Sequence, residues 1–256
     1  MDGRSLVTDG DRGGTGTIFL QAALNGARTR LDHPAIPVSV EELARDAVAC
    51  VAAGARAIHL HPRDREGRER LDAAVVDEVV VRVRTACEVP VGVTTGAWIE
   101  PDLDRRLALV RAWRAPDFAS VNLSERGATE IMAALVQAGV GIEAGVSSVE
   151  EAGLLATSGF GDRVTRILLE PVDVSRDDAG AAVDGIHRAL DRGGLTAPRL
   201  QHGDGEATWV LLVDAIRRGI GTRIGLEDTL NGPDDERTSS NEALVRAARQ
   251  FISDTG

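Results

Sequence analysis

The most constraining feature of this chain is a rhythm: a short apolar run followed by a longer amphipathic stretch, repeated eight times. The runs are Ile18–Asn25, Ala57–Arg63, Pro90–Gly96, Phe118–Ser124, Gly141–Val146, Val164–Val172, Arg199–Gly203 and Gly221–Asp228. They read as strands, and the stretches between them carry the helical period. The clearest helices are Val40–Ala53, Ala73–Cys87, Ala128–Gln137, Thr208–Arg218 and Asn241–Ile252. Ser39 or Val40 opens the first helix with Glu41 and Glu42 close behind, as suits a helix N-terminus. Gly54, Gly139 and Gly219 stand where helices end, the usual place for a terminating glycine. Eight such units in 256 residues match a (β/α)8 TIM barrel. The expected layout is one catalytic barrel over residues 18–256, preceded by a polar, Gly-rich, flexible lead-in at residues 1–17. A doubly wound open sheet shares the alternation. It would want a glycine-rich dinucleotide turn after an early strand, and Asn25-Gly26-Ala27-Arg28 is not one.

Composition removes several chemistries. The chain has no lysine, so a Schiff-base aldolase and a pyridoxal-phosphate enzyme are both excluded. It has no tyrosine, so no phenol acts as acid or base. The net charge is −11 with no basic block, which argues against a nucleic-acid partner. No apolar run reaches the ~18 residues of a membrane span, and no signal-peptide core opens the chain. A cytoplasmic protein is expected. Cys50 and Cys87 sit in helical apolar patterns and read as buried free thiols.

Active sites of this fold lie at the C-terminal ends of the strands. Polar residues gather there in this sequence: Asn25 and Arg28, His59, His61 and Arg63, Thr94 and Thr95, then Ser120, Asn122 and Ser124. Glu143, Glu170, Gln201, His202, Arg223, Glu227 and Asp228 continue the series. Alternate residues of a strand share a face, so His59 pairs with His61 and Arg223 with Glu227. Two imidazoles and a carboxylate form a common three-ligand set for a catalytic divalent metal, most often zinc. By the same parity Asp228 belongs at the strand tip, facing the loops, where it is either a general base or a cap for the next turn. Arg223 suits bidentate grip of a carboxylate. Glu143 reads as a holder of a polar substrate tail or as a buried ion-pair partner. Gly203 and Gly205, beside a helix start, offer backbone N–H groups that could take a phosphate. His33 and His187 read as surface residues, and Trp98, Trp113 and Trp209 as packing residues.

Taken together the strings are familiar. The chain resembles the β-keto acid cleavage enzymes from about Ile18 to Phe251. The resemblance rests on Ala23-Leu24-Asn25-Gly26-Ala27, Glu41-Glu42-Leu43, Ala53-Gly54-Ala55 and His59-Leu60-His61-Pro62-Arg63-Asp64. Thr94-Thr95-Gly96, Ala119-Ser120-Val121-Asn122, Arg223-Ile224-Gly225-Leu226-Glu227-Asp228 and Asn241-Glu242-Ala243-Leu244-Val245 complete it. It implies a barrel with one Zn2+ per chain, usually a homo-oligomer. It also implies that a β-keto acid and the co-substrate acetyl-CoA give acetoacetate and a new CoA thioester. By match, His59, His61 and Glu227 would bind zinc, Arg223 and Asp228 would be catalytic, and Thr95 and Glu143 would lie against substrate. Asn25, Ser120 and Asn122 are further substrate-side candidates. Arg28 would suit an anionic or polar substrate tail and disfavour an amino one. The rival readings are a metal-dependent aldolase or hydrolase on the same barrel and a non-catalytic metabolite-binding barrel. A binuclear hydrolase would want histidines on strands five and six, which offer Glu143 and Glu170 instead.

Overall fold

Every strand except the fifth, which matches its run, is shorter than the apolar run that announces it. In the computed structural model, which describes residues 18–255, the strands are β1 (Leu20–Ala23), β2 (Ala57–Leu60), β3 (Val91–Thr94) and β4 (Phe118–Asn122). β5 (Gly141–Val146), β6 (Arg166–Leu169), β7 (Arg199–Gln201) and β8 (Gly221–Ile224) follow. All pair in parallel with their chain neighbours, and β8 pairs with β1 to close the barrel. The expected lead-in at residues 1–17 lies outside the described residues. No helix among the described residues is long and apolar enough to cross a membrane.

The helices α1 (Val40–Ala52), α2 (Ala73–Cys87), α3 (Leu103–Arg111), α4 (Ala128–Ala138), α5 (Val149–Thr157), α6 (Ala179–Arg192), α7 (Thr208–Arg218) and α8 (Asn241–Thr255) each follow their strand. Ser39 and Glu42 form a reciprocal capping box at the start of α1, so two otherwise unpaired N–H groups are satisfied. Strand residues alternate. Ile58, Leu60, Ala119, Val121, Ile142, Ala144, Ile167 and Leu169 point outward and join the large apolar cluster under the helices. Residues of the other parity, including His59, Glu143, Arg166 and Arg223, are buried among the polar groups of the interior. Cys50 and Cys87 are free and buried, on α1 and α2.

His33 and His187 differ from their expected surface positions: both are buried. His33 Nε2 lies 2.9 Å from the Thr238 carbonyl, and His187 Nε2 lies 2.7 Å from Gln201 Oε1. Each imidazole finds a polar partner inside, which removes the cost of burying it. Trp113 is fully buried and donates to the Leu71 carbonyl at 2.8 Å.

Candidate active site

β2 delivers His59 inward, and His61 follows with the same parity just past the strand end. Glu227 arrives by another route. β8 ends at Ile224, and a turn closed by Asp228 N–H and Thr229 N–H on the Gly225 carbonyl carries Glu227 back over the barrel. The strand parity expected for Glu227 therefore does not apply; the turn brings it to Arg223. Gly26 makes room for it. Its φ is +54°, and a Cβ there would lie 2.5 Å from Glu227 Cγ, so a side chain would be strained and would strike the glutamate.

Among the described residues, one donor atom from each of His59, His61 and Glu227 lies within 4.8 Å of the other two. Glu227 Oε1 stands 3.6 Å from Nε2 of both histidines. Two ligands each about 2.0–2.1 Å from one tetrahedral ion are separated by about 3.3 Å, so the spacing fits. Glu227 Oε2 and His59 Nδ1 are buried without a hydrogen-bond partner, a costly arrangement that a bound cation at the carboxylate would relieve. The residues present fit a zinc-like ion.

Asp228 is buried, rather than at the strand tip facing the loops. It accepts from Arg223 Nη2 at 2.7 Å and Nε at 3.1 Å, while the same Nη2 reaches Glu227 Oε1 at 2.7 Å. The turn that displaces Glu227 from strand parity also brings Asp228 to the guanidinium. His202 links onward: Nδ1 is 3.5 Å from Asp228 Oδ1, and Nε2 is 3.2 Å from Glu170 Oε2. The two carboxylates diverge in proton affinity. Burial would raise Glu227, but Arg223 and the two imidazoles hold it well below the usual range. Burial raises Asp228 above its ordinary value, against the pull of Arg223 and His202. Burial also pushes His59 down to about 3, which keeps it a neutral imidazole.

Sequence reasoning missed the groups that hold this site. Glu69, from the loop after β2, takes His61 Nδ1 at 2.6 Å and Trp98 Nε1 at 3.2 Å. Trp98 stacks on His61, with centroids 5.9 Å apart at 29°. It is 51% exposed, a wall of the site rather than a packing residue. Asn241 accepts from Leu226 N–H at 2.6 Å and donates to the Leu24 carbonyl at 2.8 Å, tying the β8 turn to β1. Neither Glu69 nor Asn241 lies at a strand end, so the search for polar strand ends passed over both.

A profile of the β-keto acid cleavage enzyme family matches residues 17–156 and 200–256. The chain belongs to the β-keto acid cleavage enzyme family. Among curated relatives, a 3-keto-5-aminohexanoate cleavage enzyme of Fusobacterium nucleatum subsp. nucleatum is 35% identical over 91 residues, 34% of each chain. A 3,5-dioxohexanoate:acetyl-CoA acetone transferase of Paraburkholderia graminis is 32% identical over 108 residues, covering 41% of this chain and 34% of that one. The matched stretches thus span about a third of the curated relatives. Among solved structures, the ternary complex of ObcA with C4-CoA adduct and oxalate superposes with a TM-score of 0.70 at 16% identity. That match covers 86% of this chain and 64% of ObcA, and at such low identity it speaks for the barrel alone.

Within this β-keto acid cleavage barrel, several expected substrate contacts are occupied by structural partners. Asn25 Oδ1 accepts from His61 N–H at 2.9 Å and its Nδ2 donates to the His61 carbonyl at 3.0 Å. Its side chain fixes the backbone of His61, a candidate metal ligand. Thr95 is buried and donates its hydroxyl to the Ser120 carbonyl at 2.7 Å. Glu143 is fully buried, accepts from Gln21 Nε2 at 2.8 Å and lies 3.2 Å from Arg166 Nε, so its ion-pair reading describes it. Arg28 donates to the Glu227 carbonyl at 3.1 Å and lies 3.4 Å from the exposed Asp204 carboxylate. The Gly205 N–H is taken by the Asp228 carbonyl at 2.8 Å, and Gly203 packs against the Ala207 backbone. The Gly205 N–H is therefore not free for the expected phosphate. Ser120 and Asn122 remain partly exposed on the interior parity of β4.

Proposed function

We propose that this chain is a zinc-dependent β-keto acid cleavage enzyme, converting a β-keto acid and acetyl-CoA to acetoacetate and a new CoA thioester. The observation that carries the reading is the His59–His61–Glu227 donor set with Asp228 and Arg223 against it, in a barrel of this family. The acetyl-CoA in the name of the Paraburkholderia graminis relative supports the co-substrate. His59, His61 and Glu227 would hold one Zn2+. When bound, the ion supplies Lewis-acid polarisation of the β-keto oxygen and stabilises enolate-like charge as the carbon–carbon bond breaks.

The protein groups do the rest. Asp228, with its proton affinity raised by burial, takes and returns the proton at its carboxylate oxygens. Arg223 fixes that carboxylate with two N–H donors and stays charged throughout. Glu69 and Trp98 orient His61, so that Nε2 faces the site while Nδ1 is engaged behind.

The test is acetoacetate formation from a panel of β-keto acids, with acetyl-CoA present or omitted. Strict dependence on acetyl-CoA with any one acid supports the reading. Equal cleavage without acetyl-CoA would make the chain a metal aldolase or hydrolase instead.

A further inference from the structure

The rim of the barrel opposite His61 holds polar groups that the mechanism does not use. Glu170 directly follows β6, inside the stretch 157–199 that the family profile leaves unmatched. Its Oε2 is held by His202 Nε2 at 3.2 Å, while its Oε1 has no hydrogen-bond partner among the described residues. The Asn122 side chain, at the end of β4, has none either and is partly exposed. Between them β5 presents Gly145. A Cβ on Gly145 would lie 2.5 Å from Glu170 Oε1 and 2.8 Å from Asn122 Oδ1. Any side chain there would drive the carboxylate away. The bare glycine lets an oxygen from just past β6 and an oxygen from the end of β4 converge on one spot on the Glu170 side of His202. Two convergent acceptors repel an anion, offer nothing to an alkyl group, and are satisfied by an N–H or O–H donor.

We propose that Glu170 and Asn122 form a subsite for a hydrogen-bond donor on the substrate, so that the preferred β-keto acid carries a distal hydroxyl or ammonium group. This deepens the functional reading above and rests on it for the identity of the ligand as a β-keto acid.

The experiment is calorimetric binding of three β-keto acids of equal length, ending in a hydroxyl or ammonium, a methyl or a carboxylate. It uses the zinc-loaded protein and its Glu170→Gln variant, with acetoacetate formation measured in parallel. The wild type should bind the donor-tailed acid at least about tenfold more tightly than the methyl-tailed one. Glu170→Gln should remove most of that preference and leave the methyl-tailed acid bound as before. Equal or tighter binding of the methyl or carboxylate tail by the wild type would overturn the proposal. So would an equal loss for all three acids in the variant, the mark of a structural role through His202. Tail preference without acetoacetate formation would retain the subsite and reject the reaction. Acetoacetate formation without tail preference would do the reverse, and binding of none of the acids would reject both.

Discussion

Arg223 near the end of β8 and Arg166 at the start of β6 both stand beside buried carboxylates, yet their surroundings differ. Around Arg223, one guanidinium serves both Glu227 and Asp228, and the Glu227 side chain keeps 15% exposure. Two imidazole nitrogens stand 3.6 Å from that glutamate. Around Arg166, Glu143 has no exposure, and the Phe19 and Phe118 rings cover the guanidinium at 4.5 and 5.2 Å. Arg166 Nε lies 3.2 Å from Glu143 Oε1 but makes no well-directed hydrogen bond. The same residue types thus meet beside a candidate metal site where the barrel opens, and under aromatic rings where it closes. Depth in the barrel, more than residue type, separates the two roles.

That contrast can be broken experimentally. His61→Ala should abolish both bound zinc and turnover, read by metal analysis and acetoacetate formation; full activity would remove the metal from the mouth cluster. Asp228→Asn should keep zinc and lose about 10²–10⁴-fold in kcat, the usual worth of a positioned acid–base group. A near-normal rate would end its role in proton transfer. Arg166→Ala should act on stability instead, by about 3–5 kcal/mol in urea unfolding, because Glu143 loses its buried cation and keeps only Gln21 as a partner. Little change in the unfolding midpoint would mean that the deeper pair is not structural.

Smaller effects sharpen the comparison. Glu69→Gln should weaken zinc binding by about 10–100-fold with the fold unchanged, measured by chelator competition. The pH dependence should differ in sign between the clusters. Burial, only partly offset by Arg166 and Gln21, raises Glu143 above its ordinary 4.5, so folding costs it nothing while protonated and stability falls as pH rises past 4.5. Glu227 is depressed, so its contribution is present above 4.5 and is lost only as pH falls through its lower folded value. Glu143→Gln should therefore flatten the fall of Tm as pH rises above 4.5. An unchanged slope would show that Glu143 is not the group responsible.

The barrel was legible because its signals are local. Apolar runs, the Ser39 cap and the glycines after helices each depend on a few neighbouring residues, and the observed α2 and α7 match the expected bounds. His59 and His61 were legible for the same reason, since period two needs only one strand. Glu227 was found by its string but for a mistaken geometric reason, because β8 stops at Ile224 and a turn does the positioning. Asn25 and Thr95 read as substrate contacts because polar residues at strand ends are ambiguous, and Gly205 read as a phosphate contact because it stands beside a helix start. The tertiary structure gives each a protein partner from a distant part of the chain: His61, Ser120 and Asp228.

The sequence by itself determined the eightfold repeat, the absence of lysine chemistry and the residues available for a metal. The tertiary structure decided which of those residues meet. Glu227 lies 166 or 168 positions from the histidines it faces, Glu69 reaches His61 through a loop excursion, and Glu170 occupies space that Gly145 leaves bare on another strand. Local sequence sets backbone conformation through short-range sterics and hydrogen bonds, whereas the meeting of side chains across a closed barrel depends on its register and the turns that leave it.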